Sequence, residues 1–233
     1  MMIDRDWNLS LTVDQVLRGQ GADPEKIRAR RPALVETAEW ALREGLPLLE
    51  PAVVIRELVV QSLRHEQLLL EEGGRLSGSL IAQHLGGASR VAVMVCPIGS
   101  QLEAISGEMM ATDPLLSLGL EGVGTAAVEL LASEAISRLE AAAHADGLQS
   151  SIPLSPGMIN WTVEVGQPEI FALVDAGQIG VHLNGSSMMV PRMSLSQVLG
   201  FGLEMNLKGR SCDYCNLNQT CRYQDHYAPA NPA

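Results

Sequence analysis

Hydrophobic and polar positions follow different rhythms in successive parts of this chain. Over residues 12–45 the rhythm is helical. Thr12 and Gln15 stand at capping-box spacing and open a short helix. Gly19, Gly21 and Pro24 break it. A second helix, over about 32–44, repeats Leu34, Ala38, Ala41 and Leu42 at helical spacing before Gly45 and Pro47 stop it. The pattern then shortens. Val53, Val54 and Ile55, with Leu58, Val59 and Val60, predict a strand, and Leu68, Leu69 and Leu70 its neighbour, with Glu72, Gly73 and Gly74 as a turn. A short helix is predicted over 78–85. The unbroken apolar run 91–96 is of strand length and predicts a strand buried on both faces.

From Ser100 to about His144 the helical spacing returns, in two pieces separated near Asp113 and Pro114. Gly119, Gly122 and Gly124 each weaken the second piece by up to about 1 kcal/mol relative to alanine, and permit close packing against a sheet or a partner. Residues 148–161 read as a loop or extended segment, and 168–176 as a short helix. Residues 179–190 read as a hairpin turning at Asn184 and Gly185 in a two-residue type I′ turn. The next segment is open: Ser194 and Gln197 could cap a helix, while 198–203 could equally form a strand. The separated strands and helices predict an α+β fold with a largely antiparallel sheet. One domain is expected over 1–205 and a Cys-rich metal-binding tail over 206–233.

Composition narrows the function. Aromatics make up only 3 % of the 233 residues, so the core is built from aliphatic residues and methionine, and base-stacking platforms are not expected. The net charge of -11 repels phosphate, which argues against nucleic acid and against anionic membrane as partners. Met1 to Asp6 shows no basic region followed by an apolar run, and Glu121, Glu129 and Glu134 interrupt the apolar stretches. The expected location is therefore the cytoplasm, with no membrane span. Four cysteines in such a chain point to metal or thiol chemistry rather than a disulfide framework.

The clearest chemical signal is Cys212-x2-Cys215-x5-Cys221, with His226 five residues further on. A Cys-x2-Cys turn sets two thiolates on one ion. His226 would complete a zinc site. An iron–sulfur cluster would need one more ligand, for which Cys96 is available if the fold brings it near. Otherwise Cys96, at the end of an apolar strand, reads as a buried structural thiol. Ser155, Pro156 and Gly157 form a tight turn, with proline fixing one dihedral and glycine freeing the next. His65, His84 and His144 have no catalytic pattern around them.

Three stretches resemble the activation (reactivation) domains of cobalamin-dependent methionine synthase, in that family's order over roughly residues 50–200. The first is the strand 91–96 running through Pro97, Ile98 and Gly99 into a helix that carries Glu103. The second is the glycine-punctuated helix 120–129. The third joins Ser155, Pro156, Gly157 and Met158, through Ile179, Gly180 and Val181, to residues 188–196. The resemblance implies a curved antiparallel sheet flanked by helices. It also implies binding of S-adenosylmethionine by Ser155, Pro156, Gly157 and Met158 together with Met189, Val190 and Pro191. The implied role is reductive methylation of an oxidised cobalamin. No cobalamin-binding module is expected in this chain, and the corrinoid is expected on a separate protein in trans. The alternative is a docking or metal-binding module that does not take the methyl donor.

Two departures stand out. The family's ligand loop looks like Arg-x-x-x-Gly-Tyr; here Pro153 stands at the arginine position and Met158 at the tyrosine position. Standalone relatives tend to carry a glutamate where Gly185 stands. The family's electron donor, flavodoxin, is strongly acidic and would be repelled by a chain at -11. An iron–sulfur cluster in the tail would supply electrons within the chain, whereas zinc would only pin the tail.

Overall fold

The computed structural model describes residues 1–206 and 208–219. In chain order the elements are β1 (Met2–Asp4), α1 (Val13–Gly19), α2 (Pro24–Arg30), α3 (Pro32–Gly45), β2 (Val53–Arg64), β3 (Gln67–Leu70), β4 (Arg75–Ser77) and α4 (Ser79–Leu85). They continue with β5 (Arg90–Pro97), α5 (Gln101–Met109), α6 (Pro114–Ala145), β6 (Gln149–Ser150), α7 (Val163–Leu173), β7 (His182–Leu183), β8 (Met189–Val190) and β9 (Ser194–Gly202). This is the α+β class, with a curled antiparallel sheet flanked by helices. The sheet order is β4-β3-β2-β5-β9-β6, and β1 pairs with the start of β2.

The local signals that were legible have visible causes. The Thr12 hydroxyl accepts the Gln15 N–H while the Gln15 side chain accepts the Thr12 N–H, so both halves of the capping box are made. The break before α6 is a helix start: Asp113 accepts the N–H groups of Leu115 and Leu116, and Pro114 occupies the first helical position. β5 is sandwiched. Ala92, Met94 and Cys96 face α1, α3 and α6, while Val91, Val93 and Val95 face α4, α7 and the β3–β4 side. That two-sided burial is why its apolar run has no polar alternation.

On length and composition α6 could cross a bilayer, but 61 % of its most apolar window is buried inside the protein. It packs as a core helix, and its glycines make the packing possible. A Cβ on Gly119 would come within 2.9 Å of the Ala41 Cβ on α3, and one on Gly122 within 2.6 Å of the Val16 carbonyl oxygen on α1. At Gly124 it would meet the Met193 sulfur.

Several expectations are corrected. Helix α1 does end at Gly19, but Pro24, read only as part of the break, starts the further helix α2, because Asp23 caps it and proline suits the first turn. The helix expected over 168–176 is α7, which begins at Val163 and ends at Leu173. It carries Pro168 inside, although proline cannot donate to the carbonyl one turn back. The open segment after Pro191 is the strand β9, paired along its length with β5. The hairpin loop is wider than a two-residue turn. Asn184 N–H reaches the Met188 carbonyl, Ser187 N–H reaches the Asn184 carbonyl, and Ser187 itself takes the left-handed conformation at φ 59°. The Asn184 side chain holds this loop by accepting from Ser186 and Met188.

Candidate functional site

The three stretches that carry the family resemblance meet in space. Glu103 on α5 accepts the backbone N–H groups of Arg192, at 2.7 Å, and Met193, at 3.3 Å. The Arg192 guanidinium forks onto both oxygens of Glu121 on α6, each at 2.8 Å. The Ser106 hydroxyl also donates to Glu121. Burial opposes the charge on Glu121, yet the hydrogen bonds from Arg192 and Ser106 and the nearby positive charge hold its carboxyl below the usual range. This knot fixes the chain where the β7–β8 hairpin enters β9.

The loop of Ser155, Pro156, Gly157 and Met158 is anchored at Leu154, which exchanges two backbone hydrogen bonds with Val198 of β9. Gly157 has φ +99°, a conformation that favours glycine. Its N–H donates to the Trp161 carbonyl at 2.8 Å, and Trp161 N–H donates to the Met158 carbonyl at 3.0 Å. Pro156 packs against Gly166 of α7, leaving no room there for a side chain. Beside the loop opens a cleft of about 490 Å³, lined in part by Gln67, Ser77, Asn160, Trp161 and Thr162.

Met189 is partly buried against the core, and Met188 is exposed. Val190 and Pro191 are joined by a cis peptide bond. Among the described residues no hydrogen bond joins Met189, Val190 or Pro191 to residues 155–158. The two segments flank β9, the loop at Val198 and the hairpin at the strand's start.

The described part of the tail, residues 211–216, lies on the loop. Residues Ser211–Tyr214 form a single 3-10 turn. The Ser211 hydroxyl donates to the Pro153 carbonyl at 2.9 Å, Ile159 N–H donates to the Tyr214 carbonyl at 2.8 Å, and the Asn216 amide donates to the Gly157 carbonyl at 2.7 Å. Cys215 pairs with Met158 as an isolated antiparallel bridge. Cys212 and Cys215 are free thiols of intermediate exposure, and Leu217 N–H points at the Cys215 sulfur at 3.4 Å. Cys221 and His226 lie outside the described residues. Among the described residues no group of three or more His, Cys, Asp or Glu is arranged to hold a metal ion.

Comparison with solved structures finds the crystal structure of the MetH reactivation domain bound to AdoHcy. The TM-score is 0.62 at 13 % identity, over 86 % of this chain and 73 % of that one. The fold is that of the MetH reactivation domain. No family model matches the sequence, and no curated protein does.

Within this MetH reactivation fold two further side chains find their places. Cys96 faces the helical layer, fully buried, with its thiol directed at the Leu195 carbonyl. Burial, reinforced by the Glu129 charge, pushes its pKa up to about 12. Residues 211–216 pack on the other face of the sheet, with Met158 and Tyr214, so Cys96 is a structural thiol and does not share a site with Cys212 and Cys215.

His84 on α4 had no sequence signal beyond its place in a short helix. It is 1 % exposed, neither ring nitrogen has a well-placed hydrogen-bond partner among the described residues, and Tyr214 packs edge-on at 4.6 Å. Burial pushes its pKa below the usual 6.5, and the Asn206 backbone acts weakly in the opposite sense. A histidine neutral in the folded protein stabilises it fully above the unfolded pKa. As pH falls below about 6.5 the unfolded chain takes up the proton first and that stability is withdrawn. The unfolding temperature is therefore expected to drop on acidification from about pH 7.5 to about 5.5, and to drop less in His84→Leu. Equal slopes in the two proteins would assign the acid sensitivity to other groups.

Proposed function

We propose that this chain serves a corrinoid protein carried on a separate polypeptide, supporting reductive methylation of its oxidised cobalamin with S-adenosylmethionine as methyl donor. The observation that carries this reading is the fold shared with a reactivation domain that holds AdoHcy, the product left when the donor gives up its methyl group. In that reaction the cobalamin gains one electron and one methyl group, and S-adenosylmethionine leaves as AdoHcy. The protein's part is positioning, since the reactive bonds belong to the sulfonium and the cobalt. The groups proposed to receive the donor are Ser155, Pro156, Gly157 and Met158, with Met189, Val190 and Pro191.

A second reading is favoured by the loop itself. Pro153 and Met158 offer neither a guanidinium fork nor a hydroxyl, so nothing in the loop grips a carboxylate through charge. The carbonyls of Pro153 and Gly157 are already bonded to the tail. In this reading the chain docks on the corrinoid protein without taking the donor.

Residues 206–233 are proposed as a metal-binding tail, with Cys212, Cys215, Cys221 and His226 as its ligands. An iron–sulfur cluster there would supply the electron, and zinc would only order the tail. Calorimetric titration of the whole protein, purified without oxygen, with S-adenosylmethionine tests the reading. Saturable binding of modest affinity is expected. The absence of saturable heat would hand the function to the docking reading. Metal analysis of the same sample decides the tail: brown protein containing iron supports the electron source, colourless protein with stoichiometric zinc rules it out, and metal-free protein removes the site.

A further inference from the structure

The loop expected to meet the ligand already has an occupant. We infer that residues 211–216 form a strap, built into the chain, that sits on the 155–158 loop in the place of a ligand and must lift before the loop can take one. This rests on the reading of that loop as the donor site.

The strap's contacts fall on backbone groups of the loop and of the residues that flank it. Ser211 and Asn216 occupy the carbonyls of Pro153 and Gly157, the Tyr214 carbonyl occupies the Ile159 N–H, and Cys215 runs alongside Met158. Pro153 and Met158 supply no strong side-chain donors, so beyond the Ser155 hydroxyl a polar ligand at this loop depends on backbone groups, the Ile159 N–H for its acceptors and the Pro153 and Gly157 carbonyls for its amine. Strap and ligand therefore compete for one set of partners.

Two further features show that the strap is seated rather than lying loosely. Its turn is closed from within, with Arg210 N–H donating to the Asp213 carboxylate at 2.8 Å. Tyr214 anchors it against α4, packing edge-on to His84 and taking a hydrogen bond from Gln83 on its hydroxyl at 3.3 Å. Two of the three hydrogen bonds to the loop come from a serine and an asparagine, side chains that can be removed without disturbing the sheet. Cys212 and Cys215 ride on the strap, so the thiols stay with it whether it is seated or lifted.

The test uses the full-length protein carrying Ser211→Ala together with Asn216→Ala. Asn216→Ala alone, at an exposed position, replaces it if the double variant does not fold. Hydrogen exchange of the peptide spanning residues 153–161 reports the strap without any ligand. Titration with S-adenosylmethionine reports the loop. Losing two hydrogen bonds is expected to speed exchange roughly tenfold and to tighten S-adenosylmethionine binding by a similar factor, since strap and ligand exclude each other.

Unchanged exchange would overturn the strap whatever the titration shows. Faster exchange with equal affinity in both proteins would overturn the competition. Faster exchange with no binding to either protein would leave the strap standing as the loop's occupant and sink the methyl-donor reading instead.

Discussion

Replacing Gly122 by alanine is expected to destabilise the protein by about 2 kcal/mol, against the helix-propensity gain of up to about 1 kcal/mol that alanine normally brings. The new Cβ would stand 2.6 Å from the Val16 carbonyl oxygen, a backbone atom of α1 that cannot rotate away, and 2.7 Å from the Gln20 side chain. α1 and α6 would have to separate, and Val16 and Leu17, both fully buried, would loosen with them. Gly107 on α5 is the control. A Cβ there meets nothing within 4 Å, so Gly107→Ala should be neutral or stabilising. Denaturant unfolding of the two variants checks the contrast. Equal effects would mean that the close approach of α1 to α6 is not what Gly122 is for.

Trp161→Ala is expected to have the largest effect of any change near the loop, about 3–5 kcal/mol. The ring is 1 % exposed and is wedged between Gly166 of α7 and Gly78 at the start of α4, where added side chains would collide with the ring or with the neighbouring Asn160 carbonyl. Its indole N–H has no hydrogen-bond partner among the described residues, so the ring contributes through area and fit rather than polarity. Trp161→Phe should therefore cost clearly less than alanine in the same unfolding experiment. A phenylalanine as damaging as alanine would point to the missing indole N–H instead.

The sequence was informative where a signal is local and uninformative where a tertiary contact decides. Thr12 with Gln15, and Asp113 with Pro114, announce helix starts because the capping atoms lie within three residues of each other. The run 91–96 announces a doubly buried strand through composition alone. Pro24 and Pro168 mislead for opposite reasons: one is a helix start read as a break, the other a break tolerated inside a packed helix. β1 has only three residues and exists because β2 offers an edge to Met2, Ile3 and Asp4. Ser194–Gly202 is ambiguous by itself and becomes a strand by pairing with β5. The site divides in the same way. The turn at Pro156 and Gly157 and the thiols of the tail are visible as motifs. That the tail lies on the turn, and that His84 lies beneath Tyr214, depends on residues more than fifty positions apart.

The central pairing of the sheet also sets the order of events during synthesis. Ser89, just ahead of β5, bonds to Phe201 across 112 positions of chain, and β5 meets no other strand on that side. Contacts this distant are slow to form because the loop between them must close first. A ribosome releases β5 and the apolar α6 well before β9 emerges, so one edge of a strand that is apolar from Val91 onward waits for its mate while the chain between them is still being made. Nascent protein at that stage presents the kind of surface that chaperones bind, and β9, the last of the described strands to arrive, is the one that ends the wait.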